Sequence, residues 1–146
     1  MQVHESVLSY IPIKDQSGTE SGRLYFIATD PGMLTRFTEK QAALLSIFDS
    51  LKQISICPDR SVVDVASVVD ESSQQFAELI DYICGVRTSE TVFAKFKPFA
   101  CSQSGETWAA IVLEGLSEAK NLVTQNIRHL ATNTTTTGGK RKWRKK

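Results

Sequence analysis

The chain has 146 residues, of which 41% are hydrophobic and 8% aromatic, so it is long enough for one domain with a sizeable core. Its formal net charge is only +1, but six of the 17 basic residues lie within residues 140–146. The remaining chain has 11 basic residues against 16 acidic ones, which makes an acidic body with a basic end. A protein built to hold nucleic acid over its whole surface needs a basic face on the body, and this composition argues against that class.

The supply of metal-binding and disulfide-forming residues is poor. Cys57, Cys84 and Cys101 form no CxxC pair, and His4 and His129 are the two histidines. We therefore expect reduced thiols, no metal and no other cofactor. The start of the chain lacks the basic residues and long apolar core of a secretory signal, and no apolar run is long enough to cross a membrane. The sequence predicts a cytoplasmic protein.

A β-hairpin over residues about 7–28 is the first predicted element. Residues 7–13 favour a strand, and Pro12 inside them removes a backbone donor, which is typical of an edge strand. Residues 14–22 are polar and predict the loop, and residues 23–28 predict the second strand. A hairpin alone is marginally stable, so it should pack on helices or on another copy.

The rest of the body is predicted to be helical. Asp30 and Pro31 are typical of a helix start, because an aspartate can cap the helix and proline at the first position loses no needed hydrogen bond. The valines within 62–69 leave a strand open as an alternative there. Gly85 stands where a left-handed residue ends a helix. Apolar spacing predicts helices over about 30–55, 61–84, 88–96 and 106–130.

Residues 132–139 read Thr-Asn-Thr-Thr-Thr-Thr-Gly-Gly, which has no amphipathic pattern and predicts a flexible linker. The basic residues follow directly. The predicted fold class is therefore mainly α with a small N-terminal β-hairpin (α+β). It comprises a compact helical body over residues 1–131 and a disordered linker and basic tail over residues 132–146.

Catalytic residues are not arranged in any familiar pattern. The sequence has no GxSxG, HExxH, phosphate-loop or dinucleotide signature. His129 lies near the end of the last predicted helix, where the helix dipole favours it. The acidic residues of the second helix, Asp64, Asp70 and Glu71, are more typical of a solvated face than of an acid–base site. Cys84 is interpreted as a small core residue. We expect a protein that is not an enzyme.

The basic tail leaves three interpretations open. Its charges could contact phosphates while Trp143 stacks on a base, it could bind an acidic partner or the acidic body of another copy, or it could serve solubility alone. The candidate partner-binding residues are Lys140, Arg141, Lys142, Trp143, Arg144, Lys145 and Lys146.

Residues 80–93 resemble a segment of a known protein family. The segment reads Ile-Asp-Tyr-Ile-Cys-Gly over residues 80–85 and Thr-Ser-Glu-Thr-Val-Phe over residues 88–93. It resembles the tail assembly chaperones of prophages and long-tailed phages of Gram-positive bacteria. The order of hairpin, long helix, acidic helix, capped turn, final helix and basic tail is also similar. The residues that carry the likeness, here named the Ile80–Phe93 motif, are Ile80, Asp81, Gly85, Thr88, Ser89 and Phe93.

The resemblance implies a non-catalytic bacteriophage protein of the host cytoplasm. Such chaperones bind the long helical tape measure protein, as many copies along it, and help to recruit tail tube subunits during virion morphogenesis. A C-terminal extension recruits the tube subunits in many of them, so the basic tail could be where an extended form begins. The alternatives are a structural component of the tail, and a small nucleic-acid-binding protein that uses residues 140–146.

Overall fold

A computed structural model describes residues 8–55 and 62–138 of the chain. It confirms a mainly helical protein with an antiparallel N-terminal hairpin. The valine-rich segment is helical, so the strand alternative is wrong. The elements are β1 (Leu8–Lys14), β2 (Glu20–Ile27), α1 (Pro31–Ser55), α2 (Val62–Cys84), α3 (Thr88–Val92) and α4 (Trp108–Gly138).

The hairpin presents one apolar face to the helices, because alternate residues of a strand point to opposite faces. Ile11 pairs with Leu24 in the register of the two strands, and both side chains are buried. The loop is shorter than predicted, since β2 begins at Glu20 rather than at residue 23. Asp15 closes this loop, because its Oδ1 accepts hydrogen bonds from the backbone N–H groups of Ser17 and Thr19, both at 3.0 Å.

The N-terminus of α1 is capped as the sequence predicts. Asp30 Oδ1 accepts the backbone N–H of Gly32 at 2.9 Å, which satisfies one of the free donors at the helix start. The other oxygen of Asp30 pairs with Arg36 at 3.0 Å. Arg36 Nε also donates to the carbonyl oxygen of Ile83 at 3.0 Å. Arg36 therefore joins the start of α1 to the end of α2, whose last carbonyls lack helical partners.

One apolar core lies between the hairpin and the helices. The strands contact each other, α3 and α4, while α1 packs along α2. Trp108 at the start of α4 is buried and stacks on Phe96, with ring centroids 4.9 Å apart. The largest fully buried side chains are Trp108, Phe26, Phe76, Ile13, Leu24, Met33, Leu44, Ile80, Ile83, Leu116, Val92 and Val112.

Two predicted boundaries are wrong. The helix expected over residues 88–96 ends at Val92, and the chain from 93 to 100 is irregular. Helix α4 continues to Gly138, so residues 132–138 are helical where the sequence predicted a linker. Extending an existing helix needs no new nucleus, and threonine disfavours a helix by only a fraction of a kcal/mol relative to alanine, roughly 0.7 kcal/mol at most. His129 accordingly lies inside the helix, and the dipole argument for it does not hold.

Candidate binding surfaces

The six residues of the Ile80–Phe93 motif meet where α2 connects to α3. Asp81 Oδ1 accepts the backbone N–H of Ser89 at 2.7 Å, and its Oδ2 accepts the hydroxyl of the same residue at 3.1 Å. Gly85 adopts a φ of 126°, a conformation that side chains rarely allow, and its N–H donates to the Asp81 carbonyl at 2.9 Å. The Thr88 hydroxyl donates to the carbonyl of Gly85 at 2.7 Å.

The two apolar members of the motif face inward. Ile80 is fully buried, and the ring of Phe93 lies 6.0 Å from the ring of Phe76. The motif therefore builds a turn: Asp81 caps α3 from eight residues upstream, and Gly85 supplies the backbone geometry. Its polar groups hydrogen-bond to one another, so these contacts position α3 against α2.

Replacing Asp81 by alanine should lower the free energy of unfolding by about 1–2 kcal/mol, because α3 loses the carboxylate that accepts the backbone N–H and the hydroxyl of Ser89. Thermal or urea unfolding measures the change. Asp70→Ala on the same helix is the matched control, since Asp70 is exposed and its removal should change stability by no more than about 0.5 kcal/mol. Equal effects of the two substitutions would show that the capping bonds contribute nothing.

Within the described residues, the acidic side chains of α2 that the sequence pointed to are spread along an exposed face. Asp64, Asp70 and Glu71 are exposed on α2. Over residues 8–55 and 62–138, no three histidine, cysteine or carboxylate side chains lie close enough together to hold a metal ion. His4, Cys57 and the candidate partner-binding residues 140–146 lie outside the described residues.

The two described cysteines differ sharply in their surroundings. Cys84 is partly buried against the core, and Cys101 is exposed. Burial raises the pKa of the Cys84 thiol to about 12, although the nearby Arg36 acts in the opposite direction. Cys84 packs against the edge of the core, close to the core position that the sequence predicted for it.

Alkylation should separate these thiols. Against an ordinary value of 9.0, a pKa of about 12 for Cys84 leaves roughly a thousandth of the usual thiolate at pH 8. We expect iodoacetamide to modify the exposed Cys101 promptly and the partly buried Cys84 at least about tenfold more slowly, as read by peptide mass spectrometry. In urea the two should react alike. Labelling of Cys84 as fast as Cys101 in the folded protein would contradict the burial.

An open groove of about 470 Å³ runs between α1 and α2. Ile47 and Leu79 form its apolar part. On the α1 side the lining includes the small side chains of Ala43, Ser46 and Ser50, which leave space above the helix. Because these three residues are spaced three and four apart, they share one face of the helix. The α1/α2 groove is lined by Lys40, Ala43, Ser46, Ile47, Ser50, Gln75, Glu78, Leu79 and Tyr82.

One end of the α1/α2 groove is braced by a contact between the helices. The hydroxyl of Tyr82 donates to Glu39 Oε1 at 2.6 Å, and this bond raises the pKa of Tyr82. Lys40 Nζ lies 5.1 Å from the centre of the same ring. The groove thus has a fixed polar end and an apolar middle. The local sequence signal for this groove is the spacing of the small residues on α1, which by itself does not predict a groove.

No helix within the described ranges is both long enough and apolar enough to cross a membrane. Comparison with protein-family models, with curated proteins and with solved structures finds no match for this chain.

Proposed function

We propose that this chain is a non-catalytic phage tail assembly chaperone, which holds the helical tape measure protein in its α1/α2 groove. The observation that carries the proposal is the groove itself. A channel between two helices, with an apolar middle and a low wall of small residues, suits one face of an incoming amphipathic helix. The resemblance implies a partner, the tape measure protein, that is long and helical.

The resemblance at residues 80–93 supports the identity of the partner. In this proposal the protein acts in the cytoplasm of the bacterial host and binds the tape measure protein as several copies. It helps to recruit tail tube subunits before the tube forms. The contacts within the Ile80–Phe93 motif give that segment a structural role, since they fix α3 beside α2.

Filling the groove tests the proposal. Ala43→Arg places a long side chain on the groove wall, and we expect it to weaken binding of the tape measure protein at least about tenfold. Affinity is measured with the two proteins co-expressed and purified, by pull-down and by titration. Arginine is a good helix former, so the unfolding transition should be unchanged.

Ala42→Arg is the matched control. Ala42 is exposed on the same helix and does not line the groove, so this substitution adds the same charge at the neighbouring position. It should leave binding unaltered. Equal binding by both variants and the unmodified chain would overturn the assignment of the groove, and absence of any binding by the unmodified chain would overturn the proposed partner.

A further inference from the structure

A second groove lies between α2 and the α3 region, about 350 Å³ in volume. Its floor is apolar, formed by Ala77, Phe93 and the buried Pro98. Its sides carry the exposed carboxylates of Asp70 and Glu90, and among its lining residues Lys97 is the one basic side chain. This α2/α3 groove therefore combines an apolar floor with a net acidic edge, and nothing in the proposed function uses it.

The acidic edge continues beyond the lining residues. Gln74, which lines the groove, donates from Nε2 to Glu78 Oε2 at 3.3 Å, so a third carboxylate, which lines the neighbouring α1/α2 groove, lies close to it. A ligand that fits would carry several positive charges around a flat apolar group.

The chain itself contains a segment of that chemistry. Residues 140–146 read Lys-Arg-Lys-Trp-Arg-Lys-Lys, with Trp143 at the centre of six basic residues. The indole ring of Trp143 can pack on the apolar floor, which includes Phe93 and Pro98. The basic side chains on either side of it can pair with the carboxylates at the sides of the groove. The rest of the chain has an excess of five acidic residues, so the charge of the segment opposes that of the body.

The distance from the end of α4 to the α2/α3 groove shows which copy can supply this segment. The backbone N–H of Ala109 donates to the carbonyl of Pro98 at 2.6 Å, so α4 begins beside the α2/α3 groove. From there α4 runs to Gly138, which a rise of 1.5 Å per residue places about 45 Å away. Trp143 is five residues further on and lies at most about 18 Å from Gly138. The segment cannot return to the groove of its own chain.

We infer that residues 140–146 of one copy bind the α2/α3 groove of a second copy, with Trp143 on the apolar floor and the basic side chains facing Asp70 and Glu90. The two surfaces in this contact are different, so each copy offers one unused groove and one unused tail. The contact therefore joins copies head to tail, into open chains or closed rings, and the assembled fraction grows with concentration. Exposed ion pairs carry part of the binding, so salt should weaken the assembly.

Sedimentation velocity of the full chain, treated with nuclease, tests this inference. We expect a sedimentation coefficient that rises with concentration at low salt and falls as salt is added. Trp143→Ala and the groove reversal Asp70→Lys with Glu90→Lys should each weaken association at least about tenfold. Asp49→Lys with Glu118→Lys is the matched control, since both residues are exposed, lie outside the α2/α3 groove and change the net charge equally.

A charge swap distinguishes this contact from general charge attraction. Lys140→Glu, Lys142→Glu, Arg144→Glu and Lys146→Glu together reverse the tail. Groove-reversed and tail-reversed chains should each remain monomeric alone, and their mixture should assemble, because each groove then meets a tail of opposite charge. Failure of the mixture to assemble, a monomeric unmodified chain, or assembly that disappears on nuclease treatment would overturn the inference, the last in favour of RNA as the ligand of the tail.

Discussion

Replacing Gly22 by alanine is expected to lower the free energy of unfolding by about 3 kcal/mol, the upper end of the usual cost of overpacking. Gly22 in β2 lies directly against α3. A Cβ there would overlap the carbonyl oxygen of Thr91 and would lie 2.9 Å from the carbonyl oxygen of Val92. Both obstacles are backbone atoms, which cannot rotate away as a side chain can, so β2 and α3 would have to separate.

That separation would also break the hydrogen bonds between the two elements. Ser21 Oγ donates to the Val92 carbonyl at 2.9 Å, and the N–H of Lys95 donates to the Ser21 carbonyl at 3.1 Å. A loss of about 3 kcal/mol is a large share of the 5–15 kcal/mol by which an ordinary domain is stable. Urea denaturation of the purified variant measures it.

Gly115→Ala supplies the comparison on another glycine. There the new Cβ would lie 3.1 Å from Ile13 Cδ1, the end of a flexible side chain. Alanine also favours a helix over glycine by about 1 kcal/mol, so the two effects oppose each other and the net change should stay within about 1 kcal/mol. If Gly22→Ala proved as mild as Gly115→Ala, the close packing of β2 on α3 would be refuted.

Truncating Phe76 to alanine should cost about 3–5 kcal/mol. Phe76 is fully buried at the centre of an aromatic cluster. Its ring centroid lies 5.8 Å from that of Phe48, 5.9 Å from that of Phe99 and 6.0 Å from that of Phe93. The rings come from α1, α2 and the irregular segment after α3, so one substitution leaves a cavity against three parts of the fold.

Thermal unfolding measures this effect, with Glu71→Ala as the control on the same helix. Glu71 is exposed, and its truncation should change stability by no more than about 0.5 kcal/mol. Near-edge-on contacts between rings add to the area that Phe76 buries, so the loss should approach the upper half of the range. A cost below about 1 kcal/mol would mean that the aromatic cluster does not form as described.

Sequence reasoning succeeded where the physical cause is local. The cap of α1 depends on Asp30 and on a backbone group two residues later, and the end of α2 depends on Gly85. Alternation of apolar residues in β1 and β2 likewise requires only neighbours along the strand. Each of these signals lies within a few residues, and together they predicted the hairpin and the order of the helices.

The linker prediction for residues 132–138 was wrong because it considered their composition without the helix that precedes them. Composition describes what a segment prefers alone, whereas this segment continues α4 and each residue adds one more helical bond. The early end of α3 has the opposite cause. Phe96 leaves the helical path to stack on Trp108, and this tertiary contact is not visible in the local pattern.

The candidate binding surfaces lay beyond sequence reasoning for a related reason. Each groove is formed by side chains on two elements, and its shape depends on how those elements pack. Arg36 fixes the start of α1 against Ile83 of α2, 47 residues away, and Gly22 allows α3 to approach β2. The six residues of the Ile80–Phe93 motif lie close together, and the contacts among them position α3.

An assembly chaperone, as we propose for this chain, leaves before the particle is finished, whereas a structural component stays in it. Quantitative mass spectrometry of purified mature tails, alongside assembly intermediates that contain the tape measure protein, distinguishes the two. The proposed function predicts that this chain is abundant in the intermediates and absent from mature tails. Its retention in mature tails at a fixed ratio to the tape measure protein would contradict the claim and identify a structural component instead.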